Sequence, residues 1–213
     1  MTGQPPIPFG ACAHWLSASR AFAPQQKKGD WVAGLGSRNA PSGDLSRWLL
    51  YAMRVEEILS LQEYDRRART DWPHRIPNAG SADLAERLGD HIYDFSGGTP
   101  VQRPGVHGPA NVDTDLDGKN VLVSRDFYNF GNRAIPLPDD LLPICHQTQG
   151  HKSAANARYL RPFVAWLRGL GLTPGQLYGW PDFIVDWAAV SSRGGCTIRQ
   201  LDDQNDDESG EPG

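Results

Sequence analysis

Residues 47–69 read RWLLYAMRVEEILSLQEYDRRAR. The run from Arg47 to Leu59 opens rich in aromatic and apolar residues, which suits a strand. Glu56-Glu57 breaks the apolar run, and the segment is expected to be a strand bending into a helix. Ser60 then stands as an N-cap with Glu63 at the capping-box position, so the spacing predicts a helix over Ser60–Arg69. A strand feeding directly into a helix sets the expectation of an α+β fold.

Upstream of this run, Trp31–Leu35 has the pattern of a buried strand. It follows a Lys27-Lys28-Gly29-Asp30 turn and precedes a polar loop over Gly36–Ser46. Asn120–Ser124 is a second clear strand, running into an aromatic turn at Phe127, Tyr128 and Phe130. Ala11–Leu16 reads as a short strand, and Ser17–Ala23 as a short helix stopped by Pro24. Between 70 and 118 the pattern is weak, with a short helix over Ala82–Leu88 and a strand over His91–Phe95. Ser153–Leu170 is the longest helix, with Tyr159, Leu160, Phe163, Val164 and Leu167 at helical spacing and Gly169 and Gly171 closing it. Trp180–Ala189 reads as a packing segment. The expected architecture is one α+β domain over residues 1–201, a small mixed β-sheet or PUA-like β-barrel flanked by helices. A disordered acidic tail is expected over 202–213.

Composition narrows the function classes. The 213 residues suffice for a proper core. Three widely spaced cysteines, Cys12, Cys145 and Cys196, fit a reducing compartment better than a disulfide framework. MTGQPPIPFG lacks the apolar centre of a signal peptide, and no apolar run reaches bilayer length, so a cytoplasmic protein without a membrane partner is expected. The net charge of −4 is misleading, because the tail holds six acids and no base; the rest of the chain carries +2. That balance permits nucleic-acid binding without arguing for it.

Several motifs bear on chemistry. Gly34-Leu35-Gly36-Ser37 leaves a strand, where glycines let the backbone approach a ligand and expose N–H groups. Asn39 stands where a dinucleotide fingerprint needs its third glycine, and no Gly-Lys-Ser/Thr follows, so neither a Rossmann nor a Walker loop is read. The alternative reading is a plain turn. Asp113-Thr-Asp115-Leu-Asp117-Gly118 begins like a calcium loop but reaches Ser124 where a bidentate glutamate is required, so it is read as a turn with solvated carboxylates. Cys145, His146 and His151 lack a fourth ligand at zinc spacing. No metal and no cofactor are expected. Gln149-Gly150-His151-Lys152 precedes the long helix. There a helix N-terminus favours phosphate, Lys152 adds a charge, His151 a proton carrier, and Gln149 a paired donor and acceptor for a base edge. The competing reading is a capped helix start. Tyr128, with Phe127, Phe130, Arg125 and Arg133, has the composition of a base-stacking platform or of a core-filling aromatic turn. His14, Trp15 and Arg20 are candidates for another wall of the same pocket.

Taken in order, these motifs resemble the nucleotide modification associated domain family, type 2. The resemblance rests on Pro8-Phe9-Gly10 leading to Cys12, on Asp30, Trp31, Gly34, Gly36 and Ser37, and on Tyr51, Ala52, Met53 and Val55. It continues through Asp90, His91, Ile92 and Tyr93, then Val121, Leu122, Phe127, Tyr128, Phe130 and Gly131, and ends at Gln149-Gly150-His151-Lys152. It covers roughly residues 8 to 170. Thr148 replaces a family glycine, and the family's opening strand is reduced here. The resemblance implies a nucleic-acid or nucleotide partner. Three readings follow. The first is a binding module that takes a flipped or modified base, stacking it on Tyr128 or Trp15. Gln149, Gly150 and the Gly34–Ser37 backbone would read the base, and Lys152, Arg20 and Arg54 would hold phosphates. The second is an enzyme using His151 and Lys152, completed by Asp94 or Cys145. The third is an interaction protein without a small ligand. The first is the reading adopted from the sequence.

Overall fold

The computed structural model describes residues 13–16, 26–40, 42–82, 84–87, 89, 91–104, 112–117, 120–145 and 154–179, with only the backbone described for 13–16, 84, 85, 114, 117 and 154. The proposed helix at 17–23, the packing segment at 180–189 and the acidic tail lie outside them.

The scaffold is a two-stranded antiparallel ribbon that bends in the middle. One strand runs as β3 (Trp48–Arg54) and β4 (Glu57–Ser60), the other as β7 (Asn120–Ser124) and β8 (Phe127–Asn129). Met53 faces Phe127 before the bend and Glu57 faces Val123 after it, four residues on in one strand and four back in the other. No residue is inserted, so the side-chain alternation survives the corner. The buried Ser124 hydroxyl shapes that corner. Its Oγ donates to the Asp126 carbonyl and accepts from the Asp126 N–H, both at 3.0 Å. Arg54 N–H also donates to the Asp126 carbonyl at 2.9 Å.

Other strands add to each half. β1 (Ala13–Leu16) pairs antiparallel with β7, giving a sheet in the order β1-β7-β4. β2 (Trp31–Leu35) and β9 (Ile135–Pro136) pair with β3, and β10 (Gln176–Leu177) lies parallel to β8. A separate hairpin joins β5 (Tyr93–Asp94) to β6 (Val101–Gln102). Among the described residues these sheets do not close into a barrel, so the fold is the mixed-sheet form of the α+β expectation.

Three apolar clusters follow from the alternation. Leu59, Val121 and Val123 pack under Tyr64 of α1 (Leu61–Thr70). Ala52, Tyr128 and Phe130 pack under Phe163 and Leu167 of α4 (Leu160–Gly169). Val32, Met53, Val55, Leu122 and Phe127 join the two sheets at the bend. Burying a large apolar side chain of this kind contributes about 1.5–3 kcal/mol.

Two strands, Trp31–Leu35 and Asn120–Ser124, keep the bounds the sequence predicts. The segment 47–59 does not turn helical at Glu56-Glu57, because its partner strand bends with it. Glu56 instead accepts the Arg125 N–H at 2.7 Å, and Glu57 accepts Arg67 at 2.6 Å. The helix begins one residue later, with Ser60 Oγ accepting the Glu63 N–H at 3.1 Å. The reciprocal half of the capping box is replaced by a Glu63–Arg66 ion pair. The long helix after 153 is divided into a 3-10 stretch, Ala154–Tyr159, and α4. Pro162 has no N–H for the Arg158 carbonyl and is tolerated only in the first turn of a new helix. The weak helix near 82–88 shortens to α2 (Leu84–Arg87). The calcium-like segment is not a turn but a short helix, α3 (Val112–Asp117), whose Asp115 accepts the Tyr93 hydroxyl at 3.1 Å.

Gly34 lies directly opposite Tyr51, and a Cβ there would sit 2.0 Å from the Tyr51 ring. Gly34→Ala is therefore expected to destabilise the protein by about 1–3 kcal/mol, read from urea denaturation midpoints.

Candidate functional site

The glycine turn proves to be shaped by the protein itself. Tyr51 occupies the space beside Gly34, and burial pushes the Tyr51 hydroxyl up to about 12. Leu45 occupies the space beside Gly36, where a Cβ would fall 2.3 Å from the leucine's own. The Gly36 N–H donates to the Trp48 carbonyl at 3.0 Å. These two glycines thus serve close packing of the β2–β3 hairpin, and the expectation that they admit a ligand is corrected. Ser37 is the exposed member of the turn. Its Oγ accepts the Asn39 N–H at 3.1 Å and its carbonyl accepts from Leu45.

Tyr128 is likewise not the exposed stacking platform its neighbours suggest. It has no exposed surface, and it sits on β8 between Ala52 of β3 and Gln176 of β10. Its ring faces belong to the core, so no base stacks on it. Its hydroxyl accepts from Arg168 at 2.7 Å, and burial pushes it up from its ordinary value. Arg168 closes the end of α4. It pairs with Asp126 at 2.6 Å and lies over both the Trp31 and Tyr128 rings, 5.6 Å from each centroid. A cation in the last helical turn is favoured by the helix dipole.

Sequence motifs distant in the chain nevertheless meet on one cluster. Leu35, inside the glycine turn, packs on the apolar cluster that contains Tyr128. Ile144 and Cys145, which precede the Gln149–Lys152 segment, pack on it, as does Tyr159, which follows. Asn156 Nδ2 donates to the Ile144 carbonyl at 3.2 Å and ties the two flanks together. Gln149, Gly150, His151, Lys152 and Arg20 lie outside the described residues. Of His14 the backbone alone is described, opposite Val123 of β7.

Among the described residues the densest set of buried ionisable groups lies elsewhere, between α1 and the β5–β6 hairpin. Asp65 has no exposed surface and His91 almost none. Asp65 Oδ1 meets His91 Nε2 at 2.7 Å and Arg103 at 2.9 Å. Its Oδ2 accepts from Arg69 at 2.8 Å and from the Phe95 N–H at 3.1 Å. Burial would raise the Asp65 carboxyl, but the bonds from His91, Phe95 and Arg103 outweigh it and hold it below its ordinary value. Asp94 is held at about 2 by the Ser96 side chain and N–H, with help from Arg103. Four donors saturate the Asp65 carboxylate, so it is neither a free base nor an open ligand. Its task is to fix the hairpin on the helix, and Asp94 is engaged in the same way. Sequence reading reached His91 and Asp94 but not Asp65, Arg69 or Arg103. The one available signal was an aspartate on the apolar face of an amphipathic helix, beside Tyr64 and Ala68. Among the described residues no group of three or more His, Cys, Asp and Glu side chains is placed to hold a metal ion.

Asp65→Asn leaves the arginines facing an uncharged amide, and a loss of roughly 3 kcal/mol in unfolding free energy is expected. Both carboxyls are lowered in the folded state, so their stabilisation is present above the unfolded value of about 3.9 and is lost as pH falls through the folded values. Wild-type stability should therefore drop steeply between pH 4 and about 2, and Asp65→Asn should flatten that drop in denaturation curves taken across the range. Tyr128→Phe removes one bond to a half-exposed arginine and should cost about 1 kcal/mol.

Comparison with known proteins returns one family. The model of nucleotide modification associated domain 2 matches residues 4–188. No curated protein matches, and no solved structure matches. Among the described residues no helix is long and apolar enough to cross a membrane. With the match spanning most of the 213 residues, the chain belongs to the nucleotide modification associated domain 2 family.

Proposed function

We propose that this domain binds nucleic acid or a nucleotide in the course of nucleotide modification and recognises a modified or flipped base. The observation that carries the reading is the family match over residues 4–188. Support for the site comes from the shared cluster that gathers Leu35, Tyr128, Cys145 and Tyr159. The base would be read by Gln149 and Gly150 with the exposed Ser37, while Lys152, Arg20 and Arg54 would hold phosphates. Tyr128 contributes from behind, as part of the buried cluster on which Leu35, Cys145 and Tyr159 pack. A flipped base costs a few kcal/mol of unstacking, least for a damaged or single-stranded base, so preference for such substrates is the expected signature.

The test is titration of single- and double-stranded DNA and RNA, with and without modified bases, at two salt concentrations, followed by mass spectrometry of the bases. Saturable, base-dependent binding without a mass change is expected, and Lys152→Ala should weaken it for every sequence alike. Failure to bind any nucleic acid or nucleotide at low salt overturns the reading. A mass change would make the domain an enzyme, with His151 the first residue to replace.

A further inference from the structure

The bend in the ribbon gathers four cations that the sequence scatters. The turn Lys27–Asp30 is fixed to it by two backbone bonds, Gly29 N–H to the Val55 carbonyl at 2.8 Å and Val55 N–H to the Asp30 carbonyl at 2.7 Å. Gly29 has φ +95°, and the Arg54 guanidinium lies 3.9 Å from where its Cβ would be. Arg54 in turn bonds through its N–H to Asp126, next to Arg125. Lys27, Lys28, Arg54 and Arg125 are all exposed. Asp30, Glu56 and Asp126 share this corner; Asp126 is balanced by Arg168, and the four cations outnumber the other two acids. Asp30 Oδ2 accepts the Lys27 N–H at 2.7 Å, Glu56 Oε2 accepts the Arg125 N–H at 2.7 Å, and Asp126 pairs with Arg168. Among the described residues none of the four cations forms an ion pair, whereas Arg66, Arg67, Arg69, Arg103 and Arg168 all do.

We infer that this corner is a contact surface for the sugar-phosphate backbone of a nucleic acid, an inference that rests on the nucleic-acid reading above. Exposed cations without ion-pair partners bind a polyanion by releasing its condensed counterions, and the interaction requires no pocket. A mononucleotide is held by a concave site with convergent polar groups, whereas these four exposed cations are spread over the Lys27–Asp30 turn and the two ribbon strands. The corner therefore fits a strand passing over it rather than a free nucleotide. The backbone bonds set its position: the turn and both ribbon strands are tied together, so the charges are held without ordering a loop on binding.

The experiment compares the full chain with a variant carrying Lys27→Ala, Lys28→Ala, Arg54→Ala and Arg125→Ala. A control carries Arg158→Ala and Arg161→Ala, exposed at the opposite end of α4 from Arg168. Affinity for a single-stranded and a double-stranded oligonucleotide is measured across a salt series, and far-ultraviolet circular dichroism checks folding. The four-residue variant should lose affinity for every sequence. The slope of log affinity against log salt should shrink by roughly 3, with the control unchanged. Lys28→Ala alone, which touches no backbone bond of the corner, should reduce the slope by about 1. An unchanged slope in both variants, with wild type still binding, overturns the corner and leaves the nucleic-acid reading intact. An equal loss in the control also overturns it, because the charge effect would then be diffuse. Wild type that binds no oligonucleotide overturns the corner, and the wider reading falls with it only if nucleotides also fail to bind.

Discussion

A slip of one residue between β3–β4 and β7–β8 would turn the structure inside out. Side chains alternate along a strand, so the shift would carry Leu59, Val121 and Val123 off α1 and Ala52 and Tyr128 off α4. The register is unbroken through the bend, with Met53 against Phe127 and Glu57 against Val123. That continuity lets one ribbon serve two sheets and give a helix to each. The Ser124 hydroxyl makes the bend without a bulge, giving and accepting one bond with Asp126 and leaving neither backbone group of that residue unmet.

The chain between α1 and β7 depends on a different device. Among the described residues its strands are two residues long and its helices short. Asp65 adds cohesion by collecting donors from α1, from His91 and Phe95, and from Arg103 beyond β6. A buried carboxylate is stabilising only when fully met, and here its two oxygens accept four donors. The same saturation removes it from chemistry. The lowered carboxylates of this junction, Asp65 and Asp94, are thus structural, a reminder that ion-pair networks shift titrations as readily as active sites do.

Two of the motifs take packing roles in the fold. Glycines at 34 and 36 looked like room for a ligand and are room for Tyr51 and Leu45. An aromatic and basic run around Tyr128 looked like a platform; it is a wall of the core, with Arg168 reaching in from α4 to cap the hydroxyl. The exposed cations Arg54 and Arg125 stand at the bend.

Local rules settled much of this protein from its sequence. The bounds of Trp31–Leu35 and Asn120–Ser124, the Ser60 cap, the α+β class and the family likeness all depend on neighbours within a few residues, or on ordered motifs. Tertiary pairing decided the rest. Glu56-Glu57 reads as the start of a helix until a partner strand bends beside it, and Asp65 reads as a polar lapse in α1 until His91 and Arg103 arrive from 26 and 38 residues away. Burial of Tyr128 follows from α4, whose Phe163 and Leu167 pack over it, with Ala52 and Gln176 on either side in the sheet. The physical reason is the same in each case: a charge or a ring has no fixed role along a chain, because its desolvation and its partners are set only when distant segments close around it.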